Sequence, residues 1–195
     1  MSDSQQQFPP QRQARQPGRE TEMRPQPRDR MESYKAAGKL QGRRAVVTGG
    51  DSGIGRAVAI GFAKEGADVV ILYLDEHEDA EETKRLVEAA GRRCLAIPGD
   101  VGDFGHCERA VRQASDFLGG RIDILVNNAA EQHIEKTFEA IDPAQVERTF
   151  RTNIFAYFWM AKAALPHMPE GGAIINTTSL TAYNSNPALI HYTST

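Results

Sequence analysis

Five short apolar runs, each separated from the next by a stretch with helical periodicity, limit what this chain can fold into. The runs are Arg44–Thr48, Asp68–Tyr73, Arg93–Ile97, Ile122–Val126 and Ala173–Thr177. Helical patterns lie near Gly53–Glu65, Ala80–Ala90, Phe104–Leu118 and Pro143–His167. Gly66, Gly91 and Gly119-Gly120 fall where helix C-termini favour glycine. Strands this apolar, spaced by helices, predict a parallel sheet covered on both faces. The expected class is α/β, a Rossmann-like doubly wound parallel sheet with right-handed crossovers. We expect residues 41–195 to form this domain. Residues 1–40, rich in Gln, Pro and Arg, read as a flexible extension. The other reading of that extension is an arm that packs on a neighbouring subunit through Phe8 or Tyr34.

The first strand leads into Thr48-Gly49-Gly50-Asp51-Ser52-Gly53-Ile54-Gly55 and then a helix. Such a turn lets the backbone approach a pyrophosphate and aims the positive helix end at it. By itself a glycine-rich turn also serves as a plain strand–helix connection. Further candidates follow at strand ends: Asp100 and Val101 after the third, Asn127-Asn128-Ala129-Ala130 after the fourth, and Ser179 after the fifth. In open parallel sheets ligands bind at those carboxyl ends. Asn153 lies in the long helix, and Tyr192 comes thirteen residues after Ser179.

Composition excludes several classes. The net charge is −3, with eight Lys/Arg against five Asp/Glu in residues 1–40 and a net −6 in the remainder. That acidic body lacks the basic face of a nucleic-acid binder. Cys94 and Cys107 have neither metal-ligand spacing nor disulfide-scaffold density. The five histidines show no ligand pattern, so no metal is expected; His191 reads as a spacer or substrate-lining residue. No run reaches membrane-spanning length and the N-terminus lacks a secretory core. The reading is a cytoplasmic protein.

Taken together, these residues resemble the short-chain dehydrogenase/reductase family from about Leu40 onward. Its Thr-Gly-x-x-x-Gly-x-Gly is similar to Thr48–Gly55, and its Asn-Asn-Ala-Gly to Asn127–Ala130, with alanine in the last place. The Gln/Pro-rich leader resembles a bacterial glucose/ribitol dehydrogenase-like subgroup. The resemblance implies hydride transfer between a nicotinamide and an alcohol or ketone, the substrate being a small molecule such as a sugar or polyol. It implies Tyr192 as general acid/base, Ser179 as holder of the substrate oxygen and Asn153 as anchor of a proton-relay water. Gly49, Asp51, Ser52, Gly53, Ile54, Gly55, Tyr73, Asp100, Val101, Asn127 and Ala129 would hold the cofactor, with Asp100 accepting from the adenine amino group.

A free phenol titrates near pH 10, and in the family a lysine four residues after the tyrosine lowers that value. Thr195 is the last residue here, three after Tyr192. We therefore expect a piece of a longer protein, lacking the last strands of the sheet. By itself it should have at most trace activity, and an open fifth-strand edge should make it poorly soluble. Tyr73 takes the place where NAD-specific relatives carry an acid. Asp51, Asp75 and Glu76 would repel a 2′-phosphate, so NAD is expected, with NADP as the alternative cofactor. Surplus apolar residues over Val146–Met168, including Phe155, Phe158 and Trp159, predict a homo-oligomer interface. A silent dinucleotide-binding protein and, less well supported, a nucleotide-sugar epimerase are the competing functions.

Overall fold

The apolar runs become the strands of a single sheet. The computed structural model describes Gln13 and residues 18–195. In it β1 (Arg44–Thr48), β2 (Asp68–Tyr73), β3 (Cys94–Pro98), β4 (Ile124–Asn127) and β5 (Ala173–Asn176) run in the order β3-β2-β1-β4-β5. All four pairings are parallel. Side chains alternate across a strand, and the alternation sorts the core into two layers. Ala45, Val47, Val69 and Ile71 pack with α1 (Gly53–Lys64) and α2 (His77–Ala89) on one face. Val46, Val70, Leu72 and Leu125 pack with α3 (Phe104–Phe117) and α5 (Ala156–Ala164) on the other. Each fully buried Val, Leu or Ile contributes about 1.5–3 kcal/mol, so the central strands are the best-anchored part of the molecule. The doubly wound α/β reading holds.

Three segments differ from the sequence reading. The helix expected from Ala80 begins at His77, which puts Glu78 and Asp79 into its first turn beside the positive helix end. The long helix expected over Pro143–His167 is interrupted. α4 (Pro143–Phe150) passes through a π-helical turn, Arg151–Phe155, before α5. Within that wide turn the Asn153 side chain bonds both the N–H and the carbonyl of Glu131, at 2.9 and 3.1 Å. Such turns often mark functional positions.

The third difference is the extension. Residues 1–12 and Phe8 among them lie outside the described residues, but residues 18–40 dock along α1 and α2 of their own chain. The Tyr34 hydroxyl donates to Glu65, and the same carboxylate accepts the backbone N–H groups of Ala37 and Lys39. The Lys64 ammonium donates to the Met31 carbonyl. Tyr34 thus has an intrachain partner, where the sequence offered a neighbouring subunit. Hydrogen bonds and ion pairs, not an apolar stripe, fix this segment. β5, by contrast, is exposed along its whole length.

Candidate functional site

The turn after β1 can be built only from glycine at its critical points. A Cβ on Gly55 would stand 1.8 Å from the Gly49 carbonyl oxygen, and one on Gly49 3.0 Å from Ala129 Cα. Gly49 and Gly53 have φ of +61° and +52°, the left-handed region that favours glycine. A Cβ on Gly53 would meet nothing within 4 Å, so that side of the turn is open. The turn is tied to the end of β4. The Thr48 hydroxyl accepts the N–H groups of Asn128 and Ala129 at 2.9 and 3.0 Å. The Asn128 amide donates to the Thr48 and Gly49 carbonyls at 3.2 Å.

A cleft of about 350 Å³ runs across the carboxyl ends of the strands. Gly49 and Asp51 to Ile54 form one wall. Tyr73, Asp100 and Val101 stand at the ends of β2 and β3, and Ala129 follows β4. Gly55 lies beneath the turn, where its lack of a side chain makes room for Gly49. Asn127, expected at the cofactor, is the exception. It is fully buried under the cleft, its amide donating to Asn176 at 2.9 Å. Asn128, its neighbour, lines the cleft in its place.

The cleft is acidic on the β2 side. Burial raises the carboxyl of Asp51, and burial with the neighbouring Asp75 lifts that of Glu76 to about 7. The Tyr73 hydroxyl hydrogen-bonds His77 Nδ1 at 2.8 Å. Asp100 already has partners: its carboxylate accepts the Gly102 N–H at 2.7 Å and pairs with Arg148. Arg148 also donates to Glu131 at 3.1 Å. Among the described residues lining the cleft Arg148 is the only Lys or Arg, and it pairs with the carboxylates of Asp100 and Glu131.

A second cleft, about 170 Å³, brings Asn153, Ser179 and Tyr192 to one place. Tyr192, on the short helix α6 (Ile190–Thr193), borders both clefts, as do Asn128, Ala130 and Thr177. The Ser179 hydroxyl oxygen accepts from the Thr181 hydroxyl at 2.8 Å. Asn153 donates to the Thr195 hydroxyl at 3.1 Å. His191 does not join them. It is buried, hydrogen-bonded to Gln145 and stacked on His133, and burial lowers its pKa.

Sequence reasoning missed Glu131 and Arg148, which carry no motif, and valued Asn127 over Asn128 in a doublet that gives no sign of which faces the ligand. Among the described residues no group of three or more His, Cys, Asp or Glu side chains is arranged to hold a metal. Cys94 and Cys107 are free, and burial pushes both thiols up to about 12. No described helix is long and apolar enough to cross a membrane.

Comparison with known proteins gives the family and agrees with the fold. The short chain dehydrogenase family model matches residues 43–195. An uncharacterized oxidoreductase of Bacillus subtilis, YhdF, is 61% identical over 186 residues, which are 95% of this chain and 64% of YhdF. The glucose and ribitol dehydrogenase of Daucus carota is 51% identical, covering 97% of this chain and 67% of the carrot protein. A short chain dehydrogenase from Burkholderia cenocepacia, solved in complex with NADP, superposes with a TM-score of 0.76 at 36% identity. That match covers 80% of this chain and 63% of the other. The chain thus spans about two thirds of the length of the relatives it matches. The parallel five-stranded sheet with its flanking helices agrees with these matches, and the chain belongs to the short-chain dehydrogenase family.

Proposed function

We propose that residues 41–195 are a dinucleotide-binding domain and residues 1–40 its extension, and that the protein interconverts an alcohol and a carbonyl compound using NAD. The bound nicotinamide would supply the acceptor or donor of the hydride. The observation that carries this reading is the position of Tyr192, on the border between the glycine-turn cleft and the cleft of Asn153 and Ser179. Gly49 and Ile54 would hold the pyrophosphate with backbone N–H groups, the Gly53 N–H being engaged by Glu20. The open space beside Gly53 and the close packing under Gly55 fit such a ligand. Ser179 would hold the substrate oxygen, and Tyr192 would give or take its proton. Asn153, anchored in the π-helical turn, would order a water. Sugars and polyols are the substrate class that the carrot relative's name supports.

The preference for NAD rests on the acids Asp51 and Glu76 in the cleft wall, and on Arg148 being already engaged by Asp100 and Glu131. A second copy of the chain would pack on the α4–α5 face, where Phe158 is 72% exposed. A cytoplasmic setting agrees with the two free buried thiols.

Calorimetric titration with NAD and NADP, and absorbance assays of reduced nicotinamide over a panel of sugars, polyols and ketones, test the proposal. Tyr192→Phe should remove the trace turnover expected of this chain, with a much smaller change in dinucleotide affinity. Failure of the parent protein to bind either dinucleotide would sink the reading.

A further inference from the structure

The docked extension ends in a charge cluster that the function above leaves unexplained. Glu20 is 5% exposed and wedged between the starts of α1 and α2. Its carboxylate accepts the Gly53 N–H at 2.6 Å and pairs with the Arg56 guanidinium, while its own N–H donates to Asp79 at 3.0 Å. Arg56, 3% exposed, is also held by Asp29 at 3.3 Å and by the Asp79 carboxylate at 3.5 Å. Its guanidinium donates in turn to the Asp51 carbonyl at 2.7 Å, inside the glycine turn. Thr83 donates to that same carbonyl at 2.8 Å. Three buried carboxylates therefore surround one guanidinium, and one of them is bonded directly to the turn.

Buried carboxylates of this kind are costly unless they are paired and hydrogen-bonded, so their placement needs a gain elsewhere. Two effects supply it. Glu20 ties the backbone at Gly53 to Arg56 and Asp79, which fixes the φ of +52° on which the shape of the turn depends. Glu20 also touches Asp79 in the first turn of α2, the helix that follows the end of β2, where a dinucleotide's adenosine ribose is held. A smaller cleft of about 160 Å³ there is walled by Arg19 and Thr21 of the extension and by Asp75 to Asp79. Glu76 borders both that cleft and the main one. Arg56, the guanidinium bonded to the turn, is already surrounded by acids.

We infer that Glu20 is a positioning residue of the dinucleotide site, through which the N-terminal extension shapes the glycine turn and selects an unphosphorylated ribose over a 2′-phosphate. The inference rests on the dinucleotide reading of the turn. Asp29 supports the same selection at one remove, through Arg56. The extension is thus a strap belonging to the cofactor site.

Titration calorimetry with NAD and with NADP on the parent chain, Glu20→Gln, Glu20→Ala and Asp29→Asn, with a thermal melt of each, tests this. Glutamine keeps an oxygen for the Gly53 N–H but loses the charge. At pH 8, above the value of about 7 to which burial lifts the Glu20 carboxyl, Glu20→Gln should therefore shift the NADP-to-NAD ratio of Kd by roughly tenfold towards NADP. Glu20→Ala loses the hydrogen bond as well and should weaken NAD binding beyond Glu20→Gln. Asp29→Asn, which does not touch the turn, should shift the ratio in the same direction by roughly threefold, and it decides the matter if the Glu20 variants do not fold. An unchanged ratio in folded Glu20→Gln, or in Asp29→Asn where the Glu20 variants are unfolded, overturns the inference while the parent still binds NAD. A parent that binds neither dinucleotide overturns the reading of the site and this inference with it.

Discussion

The two sides of the cleft are built differently. On the β1–β2 side, strands with fully buried centres lead into a turn fixed by Thr48, Asn128, Arg56 and Glu20. On the β5 side the strand is exposed, and Leu180 and Tyr183 are 84% and 91% accessible. Ser179 there bonds only locally, to Thr181. In this chain the glycine-turn half derives its geometry from the core, whereas the Ser179 half derives it from short-range contacts at a sheet edge. Changes on the first side should disturb affinity and stability together. Changes on the second should leave stability almost unaltered.

The sharpest way to break that contrast is Gly55→Ala. The added methyl would overlap the Gly49 carbonyl, a backbone atom that cannot move without opening the turn. We expect a loss of dinucleotide affinity of about 100-fold or more and a destabilisation of about 3 kcal/mol, read by calorimetry and urea melts. Normal affinity in this variant would mean that the turn is not where the core's rigidity acts.

A smaller effect comes from pH. Burial lifts the Glu20 carboxyl to about 7, the Gly53 N–H and Arg56 offsetting it only in part, and Glu76 is lifted to about 7 as well. Folded-state values above the unfolded ones favour the protonated, folded form. The contribution of these two groups is therefore fully present below about 4.5 and is lost as pH rises through about 7. Asp68, whose carboxyl is held low by Arg93 and Arg92 against the opposing effect of burial, acts in the opposite sense and loses its contribution as pH falls. Between about pH 5 and pH 8, Glu20→Gln should show a fall in Tm smaller than the parent's by about 2 °C. Parallel curves would remove Glu20 from the account.

The smallest effect belongs to the other side. Ser179→Ala should change unfolding free energy by less than about 0.5 kcal/mol while lowering turnover. A large loss of stability would show that the edge segment is anchored more deeply than its exposure indicates.

The binding side was also the more legible one. Ala45-Val46-Val47 and Val69 to Leu72 read as buried strands because buried parallel strands are apolar on both faces, and they are buried. Asn153, Ser179 and Tyr192 line one cleft. The π-helical turn was not legible, since Phe150, Ile154 and Phe155 keep an apolar pattern across an inserted residue. Nor was the placement of Asn127, because neighbouring identical residues differ only in which way the backbone turns them. The docking of residues 18–40 escaped because composition scores apolar burial, and Glu20, Asp29 and Tyr34 hold by charge and hydrogen bond.

The strap also bears on the order of folding. Glu20 meets partners 33 and 59 residues further along, at Gly53 and Asp79. Glu20 has nothing to dock on until β1, α1, β2 and the start of α2 exist. Contacts of such sequence separation must meet the entropy of loop closure first and so form later than local ones. Glu20 is thus among the last of the described residues to settle, and the glycine turn acquires its final shape only when it does.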